Sequence, residues 1–173
     1  EVNVPAPQVA QKLARRLALV DGVTRQSGIV TGETGTREIT ITAGFVWLAL
    51  ADSAINAFDS SDSDTWIYYY RDNPSGWIAV TSSTAINNTQ YDDGSGSLVT
   101  LSNNQYGVHW VYQSIDNEVY VVYGQDSYTL TDAQEALVPA STPLQITNLH
   151  TILIAKIIIQ KDGASFTEIL LPW

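Results

Sequence analysis

Apolar positions fall in two different rhythms along this chain. Over residues 8–20 they recur at helical spacing, with Val9, Leu13, Leu17 and Val20 on one stripe, and the pattern predicts a helix. Pro5 and Pro7 form an irregular lead before it, and Asp21-Gly22 is a stop signal after it. From residue 28 the rhythm changes to strands and turns. REITIT at 37–42 alternates with period two, and residues 45–50 follow as a second strand. TWIYYYR at 65–71 is an aromatic strand that puts Trp66, Tyr68 and Tyr70 on one face and Tyr69 on the other. The turn Asp72-Asn73-Pro74-Ser75-Gly76 leads from it into a strand at 77–80. A second turn, Tyr91-Asp92-Asp93-Gly94-Ser95-Gly96, precedes a strand at 97–101.

The strongest hairpin signal is VHWVYQ at 108–113 and EVYVVY at 118–123, on either side of residues 114–117. There Val119, Val121 and Tyr123 are expected to face one way, and Tyr120 and Val122 the other. Thr131 is placed to cap a short internal helix over 131–135. Segments 149–159 and 166–171 flank Lys161-Asp162-Gly163 as the last hairpin. About eight to ten short strands with frequent turn signals predict a mainly β fold, a β-sandwich or flattened barrel, with a short N-terminal helix and one short internal helix. Residues 1–27 read as a helical stem and linker, and 28–173 as the β-sandwich-like domain. A helix as short as the stem is marginal alone, so its stripe needs a partner, either its own body or copies of itself.

Composition narrows the function classes. Hydrophobic residues make up 45% of the 173 positions, a globular share, while charged residues make up only 15%. The surface is therefore built largely from Ser, Thr, Asn, Gln and Gly. Net charge is −10, with eight basic residues, of which only Lys156 and Lys161 lie beyond Arg71. Nucleic-acid binding needs clustered cations, so no nucleic-acid partner is expected. There is no cysteine, which excludes disulfides, thiolate nucleophiles and Cys-ligated metals. The longest apolar stretch, residues 152–159, is interrupted by Lys156 and far short of a membrane helix, so no membrane partner is expected. The chain starts at Glu1 and lacks Met, the expected look of a piece processed from something longer.

Candidate chemistry is thin. His109 and His150 are the only histidines, and alternation puts His109 opposite Val108, Trp110 and Tyr112. A satisfied or exposed strand histidine is the expectation, since no third orienting group and no Gly-x-Ser-x-Gly elbow accompany it. The acidic runs Asp59-Ser60-Ser61-Asp62-Ser63-Asp64 and Asp92-Asp93-Gly94 could offer calcium oxygens, but neither has EF-hand spacing, and solvated turns are the expectation. No phosphate-binding or dinucleotide motif is present. Neither a metal nor a cofactor is expected, nor is catalysis. Aromatic side chains are the clearest surface clue, because they stack on sugars and make rigid contacts. Most of the strand aromatics are expected in the core, whereas Tyr91 and Tyr106, beside loops, are the expected exposed binding positions.

Four segments carry a resemblance: TWIYYYRDNPSGWIAV, QYDDGSGSLVTLSNNQYGVHWVYQS, EVYVVYGQDSYTLTDAQEALVP and LIAKIIIQKDGASFTEI. Their order resembles the β-rich modules of bacteriophage tail-fibre and related virion fibre proteins, over roughly residues 28–173 and best over 65–173. That resemblance implies a virion protein made in the host cytoplasm, which suits the absence of cysteine. It also implies a homotrimer, other virion proteins as neighbours, and a host surface glycan or protein as receptor. In a trimer, Val9, Leu13, Leu17 and Val20 would be the oligomerisation stripe at a threefold axis. Two alternatives stay open: a carbohydrate-binding module of a secreted enzyme, and a head-fibre, decoration or collar component with no receptor role.

Overall fold

The computed structural model describes residues 6–73, 75–147 and 150–173. Helix α1 (Ala6–Val20) opens the described chain, with Pro7 in its first turn, where the missing N–H costs nothing. Fourteen strands follow: β1 (Val23–Ser27), β2 (Thr31–Thr34), β3 (Glu38–Ile41), β4 (Gly44–Leu48), β5 (Ala51–Ile55), β6 (Phe58–Asp59), β7 (Trp66–Asp72), β8 (Gly76–Ser83), β9 (Gln90–Asp92), β10 (Leu98–Thr100), β11 (Tyr106–Ser114), β12 (Val119–Tyr123), β13 (Thr151–Gln160) and β14 (Glu168–Leu170). Helices α2 (Leu130–Glu135) and α3 (Leu144–Thr147) lie between β12 and β13.

The centre is a six-stranded sheet in the order β14-β13-β11-β12-β7-β8, antiparallel except for the parallel pair β12 and β7. One face carries Trp66, Tyr68, Val111, Val119, Val121, Tyr123, Ile154 and Ile157, packed with the inward residues of two three-stranded sheets. Those sheets are β1-β4-β5, which gives Val23, Val46 and Ile55, and β2-β3-β6, which gives Ile39, Ile41 and Phe58. The other face carries Tyr69, Val108, Trp110, Tyr112, Tyr120, Val122 and Ile158 and is covered by Ala133 of α2 and Ile146 of α3. The fold is thus a mainly β sandwich backed by a layer of short helices, and among the described residues no sheet closes into a barrel.

Because both faces of the central sheet are covered, every residue of β12 is buried, as are all but the first of β11. The expected facing of Val119, Val121 and Tyr123 against Tyr120 and Val122 is what the two clusters show. Trp66 and Tyr68 likewise face one cluster and Tyr69 the other. In β13 a register shift opposite Val111 and Tyr112 makes Ile154 an extra residue, so Ile154 and Ala155 both enter the same cluster. Lys156 then falls on the helix side. Its ammonium donates to the carbonyls of Gln134 and Ala136, both at 2.8 Å, and sits 5.1 Å from the Trp110 ring. A cation at those orphan carbonyls fixes α2 to the sheet, and desolvation holds the Lys156 pKa below its ordinary value.

Several boundaries differ from expectation. Strand β1 lies within the segment expected to be linker, pairs with β4 and puts Val23 in the core, so the body begins directly after the Asp21-Gly22 stop. α2 is capped by Thr129, whose hydroxyl accepts from the Asp132 N–H at 3.3 Å and donates to the Asp132 carboxylate at 2.7 Å. The cap is therefore two residues ahead of Thr131, and the Asp132 carboxylate accepts from the capping hydroxyl itself. The turn after β7 closes with Asp72 opposite Gly76, as expected, while its Pro74 lies outside the described residues. The same is true of Pro5 and of Leu149, the expected first residue of the penultimate strand.

Candidate functional sites

A cleft of about 530 Å³ is lined by residues that include Arg37, Tyr68, Ser83, Asn87, Asn88 and Tyr123. Its floor is a network around Asn87. The Asn87 N–H donates to the Tyr68 hydroxyl at 3.0 Å, and its carbonyl accepts from His109 Nε2 at 2.8 Å. The Asn87 side-chain oxygen accepts from the N–H groups of Thr89 and Gln90, and its amide donates to the Gln90 side chain. Arg37 donates to the Ile86 carbonyl and to Asn88 Oδ1, while Asn88 donates to the Gly163 carbonyl at 2.9 Å. These bonds tie the β2–β3 turn, β7, β11 and the turn after β13 to one strandless segment. The polar atoms of the cleft are mostly spent on holding the body together.

His109 is fully buried between Tyr68 and Tyr123, with ring centroids at 5.7 and 5.1 Å. Since Asn87 offers a carbonyl, Nε2 must carry the proton, which leaves Nδ1 as an acceptor with no partner. Burial pushes its pKa down to about 4, against the opposing pull of the Asn87 carbonyl. It is a core residue: the face opposite Trp110 is the interior between two sheets, so the exposed alternative fails. Burial also raises Tyr68 well above the ordinary tyrosine range and Tyr123 to about 12.

The two acidic runs are hydrogen-bonded turns. Asp59 accepts from the N–H and hydroxyl of Ser61, which lowers its pKa, and Asp64 accepts from the Asp59 N–H at 2.8 Å. Asp92 is not a solvated turn residue. It is 1% exposed and accepts from Arg71 Nε at 2.9 Å, from the Arg71 N–H and from the Gly94 N–H. Gly94, at φ +81°, lies against the Arg71 guanidinium, where a Cβ would come within 2.7 Å. Among the described residues no group of three or more His, Asp or Glu could hold a metal ion.

The two aromatic positions expected to be exposed are only partly so. Tyr91 is half-buried in β9, paired with Val99. Tyr106 is half-buried at the start of β11, bridged to Tyr128 and packed on the helix-side cluster. The aromatics that stand out from the body are Phe45 and Trp47, 43% and 39% exposed on β4, and the terminal Trp173. Alternation in residues 45–48 separates Phe45 and Trp47 from Val46 and Leu48 correctly, but it does not say which pair faces inward.

The α1 stripe is also exposed. Val9 is 51% exposed, Leu13 47% and Val20 73%, and Leu17 is half-buried. The shallow grooves on α1 are lined by its own residues, such as Val9, Lys12, Leu13 and Arg16, and α1 makes no extensive contact with another element among the described residues. No described helix is long and apolar enough to cross a membrane. No protein-family model, curated protein or solved structure matches this chain.

Proposed function

We propose that this chain is a non-enzymatic structural and attachment domain of a virion fibre, a homotrimer that binds a host surface glycan or protein. The observation that carries it is the amphipathic α1, whose apolar side chains Val9, Leu13 and Val20 are left exposed by the body that follows. An apolar stripe of that kind is unstable in water and is satisfied by other copies of the chain. A monomeric carbohydrate-binding module has no use for such a stem. The resemblance of residues 65–173 to phage fibre modules supports the same reading, as does the weakly charged, cysteine-free composition. Other virion proteins are the expected neighbours.

Light scattering on the full chain should report three copies, and deletion of residues 1–21 should weaken the assembly. Fluorescently labelled protein should adsorb to host cells, and it should release no sugar from their capsule or wall. A monomer at micromolar concentration argues for the carbohydrate-binding module. Assembly without adsorption argues for a head-fibre, decoration or collar component. Turnover abolished by one Asp or Glu substitution would sink the non-enzymatic reading.

A further inference from the structure

Two of the apolar surfaces that the single chain leaves exposed fit one another. One is the α1 stripe. The other is the outer face of the β1-β4-β5 sheet, where Phe45 and Trp47 point away from Val46 and the core, with Leu50, 51% exposed, in the turn beyond. Ala54 pairs with Phe45 and Asp52 with Trp47, which extends the face onto β5. We infer that this face is the docking surface for α1 of a second copy of the chain. The inference rests on the self-assembly proposed above and names its contact.

Charge decides between this arrangement and a bundle of α1 helices. Residues Ala6–Val20 include Lys12, Arg15 and Arg16 and no acid. A seam of identical helices pairs cations with cations and has no acid to bridge them. Of the 18 acidic residues, all but Glu1 lie from Asp21 onward, so the body is the complementary surface. Lys12 and Arg16 flank Val9 and Leu13 in one groove, and Asp52 lies directly beside Trp47 on the face that would receive them. An aromatic centre with a charged rim is the composition of a protein contact.

The occupant is a second copy because, in the single chain, α1 runs into β1 through Asp21-Gly22 with both apolar surfaces still exposed and neither covering the other. A helix of one copy on the sheet of the next is a head-to-tail contact, and three such contacts close a ring, in keeping with a homotrimer.

The test uses the full chain. Light scattering over a concentration series compares wild type with Trp47→Glu, Phe45→Glu and Leu13→Asp, and near-UV circular dichroism checks that each body is folded. The wild type should assemble, and each substitution should raise the dissociation constant by about tenfold or more. Since the chain has no cysteine, engineered thiols report geometry without background. Leu13→Cys chains mixed with Ala54→Cys chains should cross-link in oxidising buffer, and neither alone should. This arm decides the matter even where a glutamate variant fails to fold. Suppose instead that Leu13→Asp dissociates the assembly, the sheet variants leave it unchanged and Leu13→Cys chains join each other. The helices then pack on themselves, and the docking surface is refuted while self-assembly stands. A wild type that stays monomeric throughout overturns both.

Discussion

Acid should destabilise this protein well above the pH at which its carboxylates titrate, and His109 is the reason. The ring is sealed between Tyr68 and Tyr123, and its one unpartnered atom, Nδ1, is where a second proton would have to go. No acceptor awaits that proton, so the folded state resists it down to about pH 4, whereas an unfolded chain takes it up near the ordinary 6.5. The sign follows. Above pH 6.5 the ring is neutral in both states and costs nothing. Below it the unfolded state gains a proton the folded state refuses, and stability falls until the folded state also titrates. Integrated over that window, the loss is about 2 kcal/mol by pH 5 and about 3 kcal/mol in full. Asp59 and Asp93, both held below the usual carboxylate range, weaken the fold only at still lower pH and leave the window clear. Urea unfolding at pH 7.5, 6.5, 5.75 and 5 measures the slope. His109→Gln, which keeps a donor for the Asn87 carbonyl, should lower stability at every pH but remove the slope. An equal slope in wild type and His109→Gln, or a folded-state pKa near 6.5 by NMR, would refute the argument.

Three further substitutions probe the body. Gly28→Ala should cost several kcal/mol, on the order of 2–4, because a Cβ would meet the Ala43 carbonyl oxygen at 2.0 Å at a φ of +64°; thermal unfolding should show a lowered midpoint. Asp92→Ala should cost about 2–4 kcal/mol, since it strands Arg71 and the Gly94 N–H, with the value held down by the partial exposure of Arg71; chemical denaturation at low and high salt should give nearly the same loss. Val121→Ala, at a fully buried position between sheets, should cost on the order of 1–3 kcal/mol, and no measurable loss there would contradict the assigned core.

The period of the pattern was legible in the sequence, and with it the strands that make the central sheet. β7, β11, β12 and β13 have long apolar or aromatic runs between clear turns, so their existence and the facing of their side chains follow from alternation. What alternation does not encode is how many faces are covered. β11 and β12 are buried on both, which is why His109 became an interior residue and Tyr106 a packed one. The short strands β1, β2, β5 and β6 were the least legible, because segments such as VTRQS and ADSAI have almost no apolar rhythm and are strands only through their partners. Long-range polar pairing was illegible too. Nothing near Asp92 in sequence indicates that Arg71 will come to it across a turn, or that Asn87 will receive His109.

These failures of local reading point to where function can sit. The polar residues that look available in the sequence, His109, Asn87, Arg37 and Asp92, are consumed by the body: each bonds a segment distant in the chain and closes a buried valence. Such a network favours one arrangement of the sheets, because a shifted strand would leave several of these groups unpaired at once. A body so specified has little freedom to reshape around a ligand in the cleft beside Asn87. Among the side chains not committed to it are those of α1 and the outer face of β4: apolar residues that folding of one chain leaves in water. Retaining Phe45, Trp47 and Leu13 at solvent-facing positions is unfavourable for an isolated monomer, since exposed apolar area lowers its solubility. Their presence is understandable when the folded unit is an assembly of several chains.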